Sequence, residues 1–215
     1  MTDLEPTPGD EFYDSTGMDL MTRGRWWQEA LEDLARYRAH HGGSWVRPVL
    51  LEVGWWALLQ YRIASGLHRS ELPALVRLPL LAACVLGHKV TELVTGMSLP
   101  HRADIGPGTY LGHFGPVVIH ADAVIGVGCN ISQGTTVGVS GRGRRRGVPV
   151  LGDRVYLGAG AVVAGRVHVG DDAVIGANAV VTRDVPAGCT VSGSPAVVVD
   201  ELGTRGMGLH QRPRP

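Results

Sequence analysis

The sequence has few large aromatic side chains and no excess of either charge. It contains 2 phenylalanines in 215 residues, and 20 Lys+Arg balance 20 Asp+Glu, so the formal net charge is zero. A chain without a basic or acidic excess has no global attraction for nucleic acid or for a charged surface. We therefore expect a small-molecule partner and no nucleic acid partner.

Cysteine is also scarce, and long apolar runs are missing. Cys84, Cys129 and Cys189 are odd in number and lack paired spacing, which favours a reducing compartment over a disulfide framework. The longest uncharged apolar run, residues 78–87, is far shorter than the ~18–20 residues that span a bilayer. The histidines show no metal-ligand spacing. We expect a cytoplasmic protein with no membrane span, no export signal and no catalytic metal.

Glycine, in contrast, is abundant, with 31 residues, and much of it belongs to a repeat. Aliphatic residues recur every six positions, with one short slip and one longer insertion, and glycine follows many of them directly. They are Ile105, Leu111, Val117, Ile125, Ile131, Val137, Leu151, Leu157, Val163, Val169, Ile175 and Val181. A period of six fits a short strand plus a sharp corner, three of which form one coil. The sequence predicts a β-helix of hexapeptide repeats.

The residues before the repeat show helical spacing. Trp27, Leu31 and Leu34 fall on one face of a predicted amphipathic helix that ends near residues 41–43, and acids and Arg36 fall on the other. A second helical segment follows Pro48, and its predicted apolar face carries Val49, Val53, Trp56, Ile63 and Leu67. We expect two to four packed helices before residue 98.

These patterns divide the chain into four parts. Residues 1–22 mix acids with turn formers and are predicted to be a flexible leader. Residues 23–97 form the helical region, and residues 98–199 form the β-helix with a loop at 140–149. Residues 200–215 form a tail.

A family resemblance covers residues 50–199. It is carried by the segments ALLQYRIASGL, LGHFGPVVIHADAVIG, ISQGTTVG, LGDRVYLGAGAVVAG, VGDDAVIGANAVVTRDVP and SGSPA. With these segments the chain resembles bacterial serine O-acetyltransferases of the hexapeptide-repeat acyltransferase superfamily. The resemblance implies a left-handed parallel β-helix and an acetyl-CoA-dependent enzyme that acetylates the hydroxyl of serine or a related small acceptor.

His113 matches the catalytic histidine of that family. It lies in an insertion that interrupts the repeat, where a side chain leaves the regular wall, and imidazole is the side chain best suited to proton transfer near neutral pH. The family pairs this base with a carboxylate fifteen residues earlier, but this chain has Ser98 there. Glu92, Asp104, a carboxylate of a neighbouring subunit or Ser98 itself remain alternatives for orienting His113.

The acceptor side departs further from the family. Gly112 replaces an aspartate, and Gly147 and Val148 replace an Arg-His pair that holds the amino acid. Each lost charge-assisted bond is worth about 1.5–3 kcal/mol. We expect Gly112, Val148 and His120, which is either a cleft or a surface residue, to border a changed acceptor pocket.

The acetyl-CoA side is better matched. Ala159 and Ala177 lie one coil apart and match positions that line the slot for the pantetheine arm, and further matches are Gly138, Ser140, Gly160, Asn178 and Pro195. The loop carries four arginines, Arg142, Arg144, Arg145 and Arg146. They form either a solvated loop or a site for CoA phosphates or an acidic acceptor.

The resemblance also implies an assembly. We expect a homotrimer or a dimer of trimers, and no cysteine synthase partner because the tail ends in Pro215. Two other functions remain open: an O-acetyltransferase for a sugar or other non-serine acceptor, and a noncatalytic β-helix scaffold.

Overall fold

The computed structural model describes residues 25–143 and 146–207. The predicted leader, Arg144 and Arg145 of the loop, and residues 208–215 of the tail lie outside the described residues. Four helices precede the repeats: α1 (Trp26–His40), α2 (Val46–Leu51), α3 (Val53–Arg69) and α4 (Ala74–Thr95). A short helix, α5 (Gly203–Gly206), comes after them.

The repeats form three parallel sheets that are the faces of a triangular coil, which confirms the predicted β-helix. The first sheet is β1 (Met97–Ser98), β4 (Val117–Ile119), β7 (Thr136–Gly138), β10 (Val162–Ala164) and β13 (Val180–Val181). The second is β2 (Asp104–Ile105), β5 (Val124–Ile125), β8 (Val150–Leu151) and β11 (His168–Val169). The third is β3 (Tyr110–Leu111), β6 (Asn130–Ile131), β9 (Tyr156–Leu157), β12 (Val174–Ile175) and β14 (Thr190–Ser192). An antiparallel strand, β15 (Val197–Asp200), closes the third sheet on β14.

The aliphatic column of the sequence is the core of this coil. All twelve residues of the six-residue period have at most 2% of their surface exposed. Val185 and Val191 extend the column beyond the residues that the period identified. Small side chains such as Ala123 and Ala173 fill the second inward position of many repeats, and valine fills it in others, as at Val155 and Val167. The coil therefore reaches a close-packed interior without large aromatic residues.

Two edges of the coil carry the predicted site residues. At the first, which we call the His113 edge, the chain passes from the third sheet to the first, as it does after β3, β6, β9 and β12. The turn after β14 lies at the same edge, where Gly193 and Ala196 bond to Val180 of β13, before the chain returns to the third sheet as β15. At the second, the loop edge, the chain passes from the first sheet to the second, and the 140–149 loop leaves the coil there. Ser140 and Gly147 close that loop with two backbone hydrogen bonds of 3.2 and 3.1 Å.

A buried ionic group joins the helices to the first coil. Arg62 of α3 is fully buried and donates to Asp33 of α1 at 2.8 Å, to Glu29 at 3.1 Å and to the carbonyl of Gly106 at 2.8 Å. The backbone N–H of Thr109 donates to the same aspartate at 3.0 Å. Burial raises the pKa of Asp33 to about 6, although the charge and hydrogen bonds of Arg62 act to lower it.

This group explains why the predicted helix faces were wrong in part: Leu34 and Val53 do pack against the core, but other predicted members do not. In α1 the side that lies inward contains Glu29, Ala30, Asp33 and Tyr37, whereas Trp27 and Leu31 are 41% and 61% exposed. In α3, Trp56 and Ile63 are likewise exposed. The acids of α1 turn inward because they are the partners of Arg62, so the apolar residues on the other face are left outside.

Helix α4 contacts the molecule along one narrow face only. Half-buried residues recur along it at Arg77, Leu81, Cys84 and His88, and its last turn is partly buried as well, from Thr91 to the buried Thr95. Its other side is exposed and mostly apolar. By length and composition α4 is apolar enough to span a membrane, which the expectation from uncharged runs did not foresee. Its exposed leucines are Leu75, Leu78, Leu80, Leu86 and Leu93.

Candidate active site

His113 lies in the short segment between β3 and β4, at the His113 edge. Its side chain is exposed, and within the part of the chain that the structure describes it has no hydrogen-bond partner. The segment ends at Gly115, whose φ of 141° favours glycine. A Cβ at Gly115 would lie 2.9 Å from Cβ of Gln133 in the next coil. The imidazole is thus presented to solvent from a tightly packed corner.

Helix α1 fixes the strand that leads into this corner. The hydroxyl of Tyr37 donates to the carbonyl of Leu111 at 2.9 Å and accepts from the N–H of Leu111 at 3.0 Å. Its ring packs on Tyr110, with centroids 4.6 Å apart. Because both backbone groups of Leu111 are held, the position from which His113 departs is well defined.

Several polar side chains of the helical region surround this corner. The ring of His40 lies 4.5 Å from that of Tyr110, and His41 pairs with Glu52 at 3.0 Å. Burial lowers the pKa of His40, and the charges of His41, Arg36 and His113 lower it further. These groups therefore share one electrostatic environment with the candidate base.

Small residues form a column along the same edge, above His113. The N–H of Gly160 donates to the carbonyl of Gln133 at 2.9 Å, and the N–H of Asn178 donates to the carbonyl of Ala159 at 2.8 Å. Asn178 and Gly160 both have positive φ, 57° and 73°, and a Cβ at Gly160 would overlap the Asn178 side chain. Ala177 and Pro195 complete the column, with Pro195 beyond β14. The structure thus aligns five predicted cofactor residues with His113.

The remaining predicted residues lie at the loop edge. Gly138 ends β7, and Ser140 and Val148 flank the loop. His120 follows β4, where its Nδ1 accepts from the N–H of Asp122 at 3.1 Å. Within one chain, these four residues and the His113 group are therefore separated by the width of the first sheet, and only Gly112 of the predicted acceptor residues adjoins His113.

The candidate residues for orienting His113 lie in different parts of the fold. A hydrogen bond from Lys89, with a second from Ser98, holds the pKa of Glu92 below its usual range. Because Glu92 is in α4 and Ser98 is in β1, these two candidates lie at the junction of α4 and the first sheet. Asp104 begins β2 on the second sheet, opposite the His113 edge, with Arg69 at 3.9 Å. Within one chain Asp104 is therefore not placed to orient the imidazole.

A cleft of about 570 Å³ lies at the loop edge, between α3 and the first coils. The rings of His68 and His101 meet there, 5.0 Å apart, and Arg69, Arg102, Asp104 and Asp122 add charged groups to its wall. Arg102 pairs with Asp122 across the mouth at 2.9 Å.

Sequence reasoning missed the helical contribution to the site. Arg36, Tyr37, His40 and Glu52 lie before the repeat and belong to no motif, and their contacts with Tyr110 and Leu111 join residues far apart in the chain. The one available signal was the spacing of Arg36 and His40, which puts both on the same side of α1.

Comparisons with known proteins agree with this architecture. A family model described as bacterial transferase hexapeptide (six repeats) matches residues 149–183. A serine acetyltransferase of Helicobacter pylori is 38% identical over 151 residues, covering 70% of this chain and 84% of its own length. One from Synechococcus elongatus is 38% identical over 152 residues, covering 71% of this chain, which spans only 59% of that relative.

Solved structures give the same fold. Soybean serine acetyltransferase complexed with serine superposes with a TM-score of 0.70 at 31% sequence identity, over 84% of this chain and 72% of that one. The coil of this chain is therefore the left-handed parallel β-helix that the sequence resemblance implied.

Proposed function

Since the chain belongs to the serine acetyltransferase family, we propose that it transfers the acetyl group of acetyl-CoA to the hydroxyl of serine or a related small acceptor. The observation that carries the proposal is the alignment of an exposed His113 with a column of small residues on one edge of the coil. Successive coils lie about 4.8 Å apart, so the four coils above His113 offer a groove on the scale of an extended pantetheine arm.

The proposed chemistry is direct transfer with general-base catalysis. His113 takes the proton of the acceptor hydroxyl, and the oxygen attacks the thioester carbonyl carbon. Backbone N–H groups at the edge stabilise the oxyanion. The C–S bond then breaks, the acetyl group stays on the acceptor oxygen, and the thiolate of CoA takes up the proton from His113. Help of this kind is worth about 10²–10⁴ in rate.

A homotrimer, or a dimer of trimers, fits the division of the predicted residues between two edges. The family resemblance implies a site between adjacent subunits, where the His113 edge of one chain faces the loop edge of the next. The exposed apolar side of α4 also favours self-association, because soluble monomers rarely expose so large an apolar patch. Sedimentation at micromolar concentration would measure the state directly.

The arginine loop is the proposed contact for CoA phosphates or an acidic acceptor. Arg142 and Arg146 are exposed, and they flank the two loop arginines that lie outside the described residues. Reversing the charge at Arg146 is expected to raise KM for acetyl-CoA more at low salt than at high salt, because exposed charges are screened.

The decisive test is the variant His113→Ala. We expect kcat to fall by about 10²–10⁴ with little change in either KM, measured as release of CoA thiol. The matched control is His168→Ala, because His168 lies on the second sheet, opposite the His113 edge. A loss of less than about fivefold in His113→Ala would contradict the role of the base.

A sugar or another non-serine hydroxyl is the second candidate acceptor, because Gly112 and Val148 carry no group that could hold an amino acid. A panel of L-serine, homoserine, other hydroxylated amino acids and sugar nucleotides separates the two. A noncatalytic scaffold would give no turnover and no thermal stabilisation by acetyl-CoA, whereas a ligand at 100 times Kd adds about 2.7 kcal/mol of apparent stability.

A further inference from the structure

Arg36 is an unusually placed arginine. It lies on α1, half-buried against the outer face of the third sheet, and its guanidinium donates one long hydrogen bond of 3.4 Å to Oδ1 of Asn130. Among residues 25–143 and 146–207 it has no carboxylate partner. Apart from the bond to Asn130, this guanidinium has N–H donors left over for a ligand.

The side chain of Asn130, which accepts the bond from Arg36, also has an unused donor. Only 7% of its surface is exposed, and its amide nitrogen has no hydrogen-bond partner among the described residues. A buried amide that keeps an unused donor is uncommon. Two adjacent side chains, one charged and one neutral, thus offer unused N–H groups at the same place on the third sheet.

Side-chain contacts connect this place to the corner that carries the candidate base. Arg36 precedes His40 by one helical turn, so both side chains lie on one side of α1. His40 packs on Tyr110, and the Tyr110 ring lies against Gly112, where a Cβ would come within 3.1 Å of it. His40 and Tyr110 therefore lie between Arg36 and the segment that carries His113, on the outer surface of the coil.

Two other charged groups of this region have close polar neighbours of their own. Glu52 pairs with His41 at 3.0 Å, and Nε of Arg38 donates to the carbonyl of Gly43 at 2.7 Å. Tyr110 and the imidazoles of His40 and His113 carry no negative charge near neutral pH. Arg36 is thus a half-buried positive charge on the side of α1 that faces Tyr110.

We propose that Arg36 is the residue of this chain that binds the carboxylate of the acceptor. The inference rests on the proposed function, since it places the acceptor hydroxyl at His113. A planar guanidinium with several free N–H groups matches a carboxylate in a bidentate manner. It would supply the charge that Gly147 and Val148, at the loop edge, do not.

The test compares L-serine with L-serinamide, which keeps the hydroxyl and the amine and lacks the carboxylate. In the parent protein we expect kcat/KM for L-serine to exceed that for the amide at least tenfold. In Arg36→Met this ratio is expected to fall to about one, chiefly through KM for L-serine, with KM for acetyl-CoA unchanged. Arg36→Lys should recover part of the ratio, because lysine keeps the positive charge but lacks the planar guanidinium that binds a carboxylate through two hydrogen bonds.

Arg47→Met is the matched control, because Arg47 is an exposed arginine on α2, and it should leave the ratio as in the parent. An unchanged ratio in Arg36→Met would overturn the assignment. If the parent acetylates no acceptor, the proposed function fails, and calorimetric titration with L-serine still decides about Arg36. Binding that is lost in Arg36→Met supports the inference, and binding that is absent in the parent or kept in the variant refutes it.

Discussion

Replacing Arg62 with methionine would test the buried ionic group that holds the helices on the coil. Methionine approximates the length of the side chain's apolar stem and removes the charge and all of its donors. Asp33 is then left as a buried acid without its cation, and Glu29 keeps only Arg69 at 3.8 Å. The carbonyl of Ile105 loses the donor that Arg62 supplied, and that of Gly106 keeps only the hydroxyl of Thr109. Breaking a buried pair from one side costs about 3–5 kcal/mol.

We expect the free energy of unfolding to fall by about 4 kcal/mol, which corresponds to a decrease in Tm of about 8–16 °C for a chain of this size. Urea unfolding followed by circular dichroism at fixed protein concentration measures it. The matched control is Arg69→Met, because Arg69 is partly exposed and lies 3.8 Å from Glu29. This variant should lose less than about 1 kcal/mol.

The pH dependence gives a second, independent readout. Without Arg62 the carboxyl of Asp33 loses the charge that lowers its pKa, so its folded-state pKa rises above the parent value of about 6, further from the ordinary 3.8. The folded chain then holds a proton that the unfolded chain lacks, and its stability falls as pH rises through that window. We therefore expect the loss of unfolding free energy in Arg62→Met, relative to the parent protein, to become smaller as the pH is lowered from 7 to 5.

Adding Asp33→Asn to Arg62→Met should restore part of the stability, because it removes the uncompensated acid. A loss below about 1 kcal/mol in the single variant would refute the stabilising role of Arg62. A double variant less stable than the single one at pH 7 would refute it as well.

Three further outcomes are expected. Gly54→Ala should destabilise the protein, because a Cβ there would overlap the Tyr37 hydroxyl, and thermal unfolding would show it. Cys129 is buried, and burial raises the pKa of its thiol to about 12; a thiol reagent at pH 8 should therefore label at most two of the 3 cysteines until the protein is unfolded. Ala177→Phe should raise KM for acetyl-CoA while leaving the acceptor KM unchanged, and Ala187→Phe, exposed at another edge, should change neither.

The coil was predictable because its determinants are local. Each repeat places one aliphatic side chain inward and turns a corner within six residues, so the period alone identified twelve core positions. The helix faces were not predictable in this way. In α1 the inward side is set by Arg62 and by the backbone of Leu111, which lie in other parts of the chain, and amphipathic spacing carries no information about such partners.

The candidate site was predictable in part for the same reason. His113, Ala159 and Ala177 come from motif positions, and the structure aligns them on one edge. Arg36 and His40 reach that edge only because α1 packs on the third sheet, and no motif marks them. Sequence therefore predicted the candidate residues that repeat with the coil, and the structure was needed for the candidate residues that the helices add.

The column of small residues above His113 has a length that depends on the number of coils. Each coil contacts only the coils beside it, so a coil can be gained or lost at the far end without moving His113. One such change alters the length of the groove by about 4.8 Å. The number of coils thus sets the length of the proposed donor groove without changing the residues around His113. A variant with one coil fewer is expected to bind a shortened donor and to keep the base unaltered.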